Sequence, residues 1–124
     1  MGDVAGIAIS SVVALDGGFP VLAGCDFSAA QGTITAVLGH NGAGKTSLLR
    51  VCAGLLPIER GAGRVLGMDI TSERERVRSR VGLLGHTNGL YLDLTVAQNI
   101  RFWESTVGAT DAEVAGAMSR MRLD

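Results

Sequence analysis

Gly39-His40-Asn41-Gly42-Ala43-Gly44-Lys45-Thr46 is the stretch on which the reading of this sequence turns. Gly39 and Gly44 stand five positions apart and are followed by a lysine and a hydroxyl residue, the pattern of a phosphate-cradling P-loop. A loop wrapped around a phosphate must bend tightly and aim several backbone N–H groups inward, which side chains at the turning positions would obstruct. A helix opening near Gly44 would direct its unpaired N–H groups and positive dipole end at the same anion. On this pattern Lys45 serves the β- and γ-phosphate oxygens of a nucleotide, and the Thr46 hydroxyl serves Mg²⁺. His40, Asn41 and Ala43 fill the variable positions of the loop. Ser47 borders it and reads as a helix residue rather than a ligand.

Working outward, the context suits such a loop. Thr33 to Leu38 is apolar and β-branched and reads as a strand delivering the chain to Gly39. Beyond Lys45, the positions Leu48, Leu49, Cys52 and Leu55 or Leu56 fall at helical spacing, with Gly54 and Pro57 marking the exit. Further upstream, Ile7 to Leu15 predicts a strand ending at Asp16-Gly17-Gly18, and Val21 to Ala30 predicts a second one closed by Gln31-Gly32. Downstream, the pattern predicts a short strand at Arg64 to Leu66, a turn at Gly67, a charged helix from Ser72 to Arg80 and a buried strand at Val81 to Leu84. Thr95-Val96-Ala97-Gln98 and Thr110-Asp111-Ala112-Glu113 both have capping-box spacing and predict two further helices. The first runs through Trp103, and the second carries Val114, Met118 and Met121 on one face. The order of elements is that of an α/β nucleotide-binding architecture, α+β at its N-terminal edge.

Bulk properties narrow the class. The 124 residues are 47% hydrophobic, enough for one core, and a net charge of -1 excludes a strongly basic nucleic-acid binder. No apolar run approaches the ~20 residues that span a bilayer. The sequence Met1-Gly2-Asp3-Val4 has an acid where a signal peptide has bases. Any membrane association is therefore expected to come through a partner, and the chain reads as cytosolic. Cys25 and Cys52 have no metal-type spacing and read as small buried hydrophobes rather than a disulfide. The run Glu73 to Arg80 mixes its signs, with Glu73/Arg76 and Glu75/Arg78 at i,i+3, and reads as a solvated helix face.

Four blocks in this order resemble the ATPases of the ABC transporter family over nearly the whole chain. Val21 to Phe27 is similar to the family's strand before the P-loop, and Leu48 to Pro57 to its first helix and exit. Gly61 to Ile70 resembles the hairpin that follows, and Leu94 to Ile100 the start of the helical subdomain. The resemblance implies an incomplete P-loop NTPase of ABC ATPase type. Residues 1–93 would form the N-terminal part of the ATP-binding core, and residues 94–124 the start of the helical subdomain. It also implies MgATP as ligand, a membrane-spanning transporter subunit and a second ATP-binding subunit as partners, and a place on the cytoplasmic side of the cell membrane.

Within the family, Val81 to Leu90 resembles the haem-exporter-type subunits of cytochrome c maturation. These place a histidine, here His86, where most members carry the Q-loop glutamine that senses the γ-phosphate. The family stacks adenine on an aromatic shortly before the second strand, but the matching position is Asp16. Either Phe19, the nearest aromatic, stacks on the base instead, or the base is held by aliphatic contacts and Phe19 is a core or turn residue. Tyr91, Phe102 and Trp103 fall where the family receives its membrane subunit, and local packing accounts for them equally well.

The family's signature motif, its Walker B aspartate with the catalytic glutamate, and its late histidine do not occur in these residues. The expectation for the chain alone is marginal stability and no turnover of ATP. A short non-hydrolysing nucleotide-binding module and another P-loop class, such as a small-molecule kinase, are the competing readings.

Overall fold

A computed structural model describes residues 5–85 and 90–123. They fall into two compact units, divided between Leu83 and Leu84.

The first unit is built on a four-stranded antiparallel sheet of order β2-β1-β3-β4, comprising β1 (Ala5–Asp16), β2 (Phe19–Ala30), β3 (Arg60–Val65) and β4 (Met68–Asp69). The hairpin β1–β2 closes through Gly17 and Gly18, both at positive φ, as a two-residue turn requires. Strand β1 buries Ile9, Val12 and Ala14, so the alternation skips a residue at Ser11. Ser11 adopts φ 52° there, and its N–H donates to Asp26 Oδ1 at 2.7 Å, which fixes the bulge. Strand β3 lies so close to this irregular edge that a Cβ on Gly63 would stand 2.5 Å from Ile9 Cγ2.

Helix α1 (Lys45–Cys52) turns Leu48, Val51 and Cys52 into the core with Leu22, Leu56 and Val65, and helix α2 (Arg74–Arg80) adds Val77. Cys52 is buried and Cys25 half-buried, both as free thiols. Burial, reinforced by the neighbouring Cys25, pushes the Cys52 thiol up to about 11, so it behaves as a small apolar side chain. Ahead of α2, the Asp69 carboxylate accepts from the N–H groups of Thr71 and Ser72 and is thereby held below the usual carboxylate range. Glu73 pairs with Arg76, and Glu75 with Arg78, along the exposed face of α2, as the spacing predicts.

Two expected strands do not form. Thr33 to Leu38 and Val81 to Leu84 are without regular structure, and Ile34, Leu38 and Leu84 are fully or almost fully exposed. A strand exists only where a ladder partner satisfies its backbone, and among the described residues none of β1 to β4 pairs with either segment. The strand expected at Arg64 to Leu66 is β3, which begins earlier, at Arg60, and ends at Val65. Leu66 turns out of the strand at φ 51°, its N–H still donating to the Gly6 carbonyl of β1 at 2.7 Å.

The second unit consists of α3 (Val96–Val107) and α4 (Asp111–Arg120). Both capping boxes are complete, Thr95 with Gln98 and Thr110 with Glu113. The buried Asn99 ties the preceding loop to α3. Its Oδ1 accepts from Tyr91 N–H at 2.7 Å, and its Nδ2 donates to the carbonyls of Tyr91, Leu94 and Thr95. Tyr91, Phe102 and Trp103 pack on one another, with ring centroids 5.1 to 6.5 Å apart, yet each keeps nearly half its surface exposed. Among the described residues, no helix is long and apolar enough to cross a membrane.

Candidate nucleotide-binding site

The residues singled out between Gly39 and Ser47 come together at the start of α1. Gly42 and Gly44 have φ 88° and 96°, values that an L side chain reaches only with strain. Gly44 is the N-cap of α1, and no side chain caps the helix. The first turn also carries no acid. Its N–H groups therefore form an uncompensated positive end, which is the physical requirement for holding an anion.

Lys45 completes the arrangement from within the loop. Its Nζ donates to the Gly39 carbonyl and, at 3.2 Å, to that of His40. The His40 carbonyl also accepts from Ala43 N–H at 3.2 Å, which closes the turn. The ammonium is thus pinned among the loop carbonyls beside the helix end rather than trailing into solvent.

A cavity of about 340 Å³ opens here, lined by Asn41, Gly42, Gly44, Lys45, Thr46 and Ser47 together with Pro20 and Val21. The loop and helix residues present N–H groups, an ammonium and two hydroxyls, a donor set suited to a polyphosphate. Thr46 supplies the exposed hydroxyl that would hold a Mg²⁺ ion bound with it. Glycine is required at position 44 for a second reason. A Cβ there would stand 2.9 Å from the Val21 carbonyl oxygen and 3.1 Å from Leu22 Cδ2.

Pro20 and Val21 are absent from the motif, and its spacing gives no sign of them. They reach the cavity because the tight hairpin sets Leu15 opposite Pro20, returning the start of β2 alongside Gly44. Phe19 does not line the cavity and is 75% exposed. Asp16, at the position matched to the family's aromatic, instead turns its carboxylate to Arg50 of α1 at 3.4 Å. His86 lies outside the described residues.

Comparison with known proteins bears on the same segment. The family model described as ABC transporter matches residues 22–124. A relative from Bradyrhizobium diazoefficiens, named cytochrome c biogenesis ATP-binding export protein CcmA, is 37% identical over 113 residues. That match covers 91% of this chain and 55% of the relative. The human phospholipid-transporting ATPase ABCA7 is also 37% identical, over 105 residues, covering 85% of this chain and 5% of that one. Among solved structures, an ATP-binding subunit of an ABC transporter superposes with a TM-score of 0.77 at 25% identity, covering 94% of this chain and 50% of that chain. The chain thus spans about half the length of the CcmA relative.

Proposed function

Because this chain belongs to the ABC transporter family, we propose that it is the N-terminal portion of a transporter's ATP-binding subunit, taking MgATP at the Gly39–Ser47 loop. The observation that carries this reading is the uncapped positive end of α1, with Lys45 held beside it on the wall of the cavity. Every feature there favours a bound polyphosphate, and no carboxylate in the first turn competes for the donors.

The wider assignments follow from family membership. Residues 1–93 belong to the ATP-binding core and residues 94–124 open the helical subdomain. The whole protein hydrolyses ATP and works as a dimer on the cytoplasmic side of a membrane-spanning partner. His86 serves as the Q-loop sensor of the γ-phosphate. The exposed aromatic group of Tyr91, Phe102 and Trp103 suits contact with that partner, because each ring offers apolar area and two of them carry a polar tip.

Export in cytochrome c biogenesis, with haem as the class of substrate, is supported by the long match to the CcmA relative. The equal identity of the phospholipid-transporting relative supports a second reading, an ABC exporter of another substrate.

Titration of the chain with MgATP tests the site. The wild type should bind without steady-state turnover, since no general base of the family type is present in its sequence. Lys45→Ala should weaken binding at least tenfold while leaving the thermal midpoint within a few degrees. Equal affinity of the two proteins would sink the P-loop assignment.

A further inference from the structure

We propose that a second cavity, formed by the β3–β4 turn and α2, binds a small amphipathic anion: one phosphate or carboxylate group joined to a short apolar chain. Its lining residues are Leu66, Met68, Arg76, Ser79 and Arg80, and it shares none of them with the cavity at the Gly39–Ser47 loop.

The polar part of the lining comes from α2. Arg76, Ser79 and Arg80 stand at i, i+3 and i+4 and so share one face of the helix. The Ser79 hydroxyl donates to the Arg76 carbonyl at 2.7 Å, which leaves the two guanidiniums as the charged donors. Arg76 is paired with Glu73, and Arg78 with Glu75, whereas no ion pair engages Arg80 among the described residues. A guanidinium is a planar fork of N–H donors that matches two oxygens of a carboxylate or phosphate. Arg80 ends α2, where the helix dipole is negative, so the attraction for an anion rests on the guanidiniums themselves.

The apolar part comes from the turn. Val65 pairs with Met68, so Leu66 and Gly67 make a two-residue turn, at φ 51° and 78°. Such a turn favours glycine or asparagine at its first position, and a leucine there is strained. Two hydrogen bonds hold the strained turn in place. Leu66 N–H donates to the Gly6 carbonyl at 2.7 Å, and Arg64 Nη1 donates to the Gly67 carbonyl at 3.0 Å. A large apolar side chain is thus kept 43% exposed in the same cavity as two guanidiniums, with the buried Met68 completing the apolar lining. Backbone strain of this kind concentrates where a side chain is held for a ligand. The cavity measures about 350 Å³, at the small end for ligand sites, which suits one head group and a short chain.

The test is titration of the 124-residue chain with hexyl phosphate, inorganic phosphate and 1-hexanol, followed at the Met68 methyl resonance. Hexyl phosphate should shift that resonance saturably and bind at least tenfold more tightly than either of the other two. Arg80→Gln should weaken it at least fivefold, and Arg80→Lys by less, because lysine keeps the charge but not the fork. Leu66→Gly suits the turn, so the thermal midpoint should stay within a few degrees while hexyl phosphate falls to the affinity of inorganic phosphate. Lys45→Ala should leave the binding unchanged. The assignment is overturned if hexyl phosphate leaves Met68 unmoved or binds no better than the bare ion, or if Arg80→Gln has no effect. Loss of the Met68 shift on Lys45→Ala would also overturn it, by placing the phosphate in the nucleotide loop.

Discussion

Gly44 is constrained twice, by its dihedral angle and by its neighbours, whereas Gly42 is constrained once. At Gly42 a Cβ would enter open space, so Gly42→Ala costs only the left-handed conformation, roughly 1–2 kcal/mol. At Gly44 the same strain is joined by contact with the Val21 carbonyl at 2.9 Å and Leu22 at 3.1 Å. Gly44→Ala should lower the urea midpoint clearly more than Gly42→Ala, because a packing cost of about 1–3 kcal/mol is added to the same strain. Equal midpoints for the two variants would show that the helix start yields freely. The motif made Gly44 legible, because backbone approach to phosphate demands it at a fixed distance from Gly39, whereas Gly42 falls within the spacer. The motif gave no view of Val21 or Pro20. Their place depends on a hairpin register that brings residues some twenty positions upstream against Gly44.

Local chemistry decided which elements could be foreseen. The two capping boxes, the glycine turn of the first hairpin and the i,i+3 pairs of α2 are short-range interactions, and each forms where its residues lie. The segments Thr33 to Leu38 and Val81 to Leu84 have equally strong strand composition but depend on partners distant in sequence, and no described strand supplies them. Asn99 was invisible for the opposite reason, since a polar residue within a helical pattern reads as solvent-facing. Buried, it makes four hydrogen bonds to the loop around Tyr91 and Thr95. Asn99→Ala removes the acceptor of the Tyr91 N–H and the donor to three loop carbonyls, at a net cost of about 0.5–1.5 kcal/mol for each bond lost. Amide exchange at Tyr91 should accelerate by the matching factor while exchange in β1 stays unchanged. A uniform acceleration over the whole chain would show that Asn99 supports more than its own loop.

For the molecule as a whole, the balance of covered and uncovered apolar surface matters most. Ile34, Leu38, Leu84 and Leu92 are each at least 89% exposed, while Val12, Val51, Val65 and Val77 are sealed. Extended apolar segments of this kind drive association at the micromolar to millimolar concentrations at which unpaired strand edges meet. Sedimentation velocity should show the chain associating with rising concentration, and Ile34→Lys with Leu38→Lys should reduce that association. A monomer at all concentrations would mean that these residues are covered in solution. The Lys45 contacts with the loop carbonyls have a separate consequence for kinetics. A lysine side chain free in solvent gives up about 1.5–2 kcal/mol of rotamer entropy when a ligand immobilises it. Here much of that freedom is already spent in the ligand-free chain. The arriving anion meets a charge at rest, so capture depends on encounter rather than on waiting for a side chain to find its place.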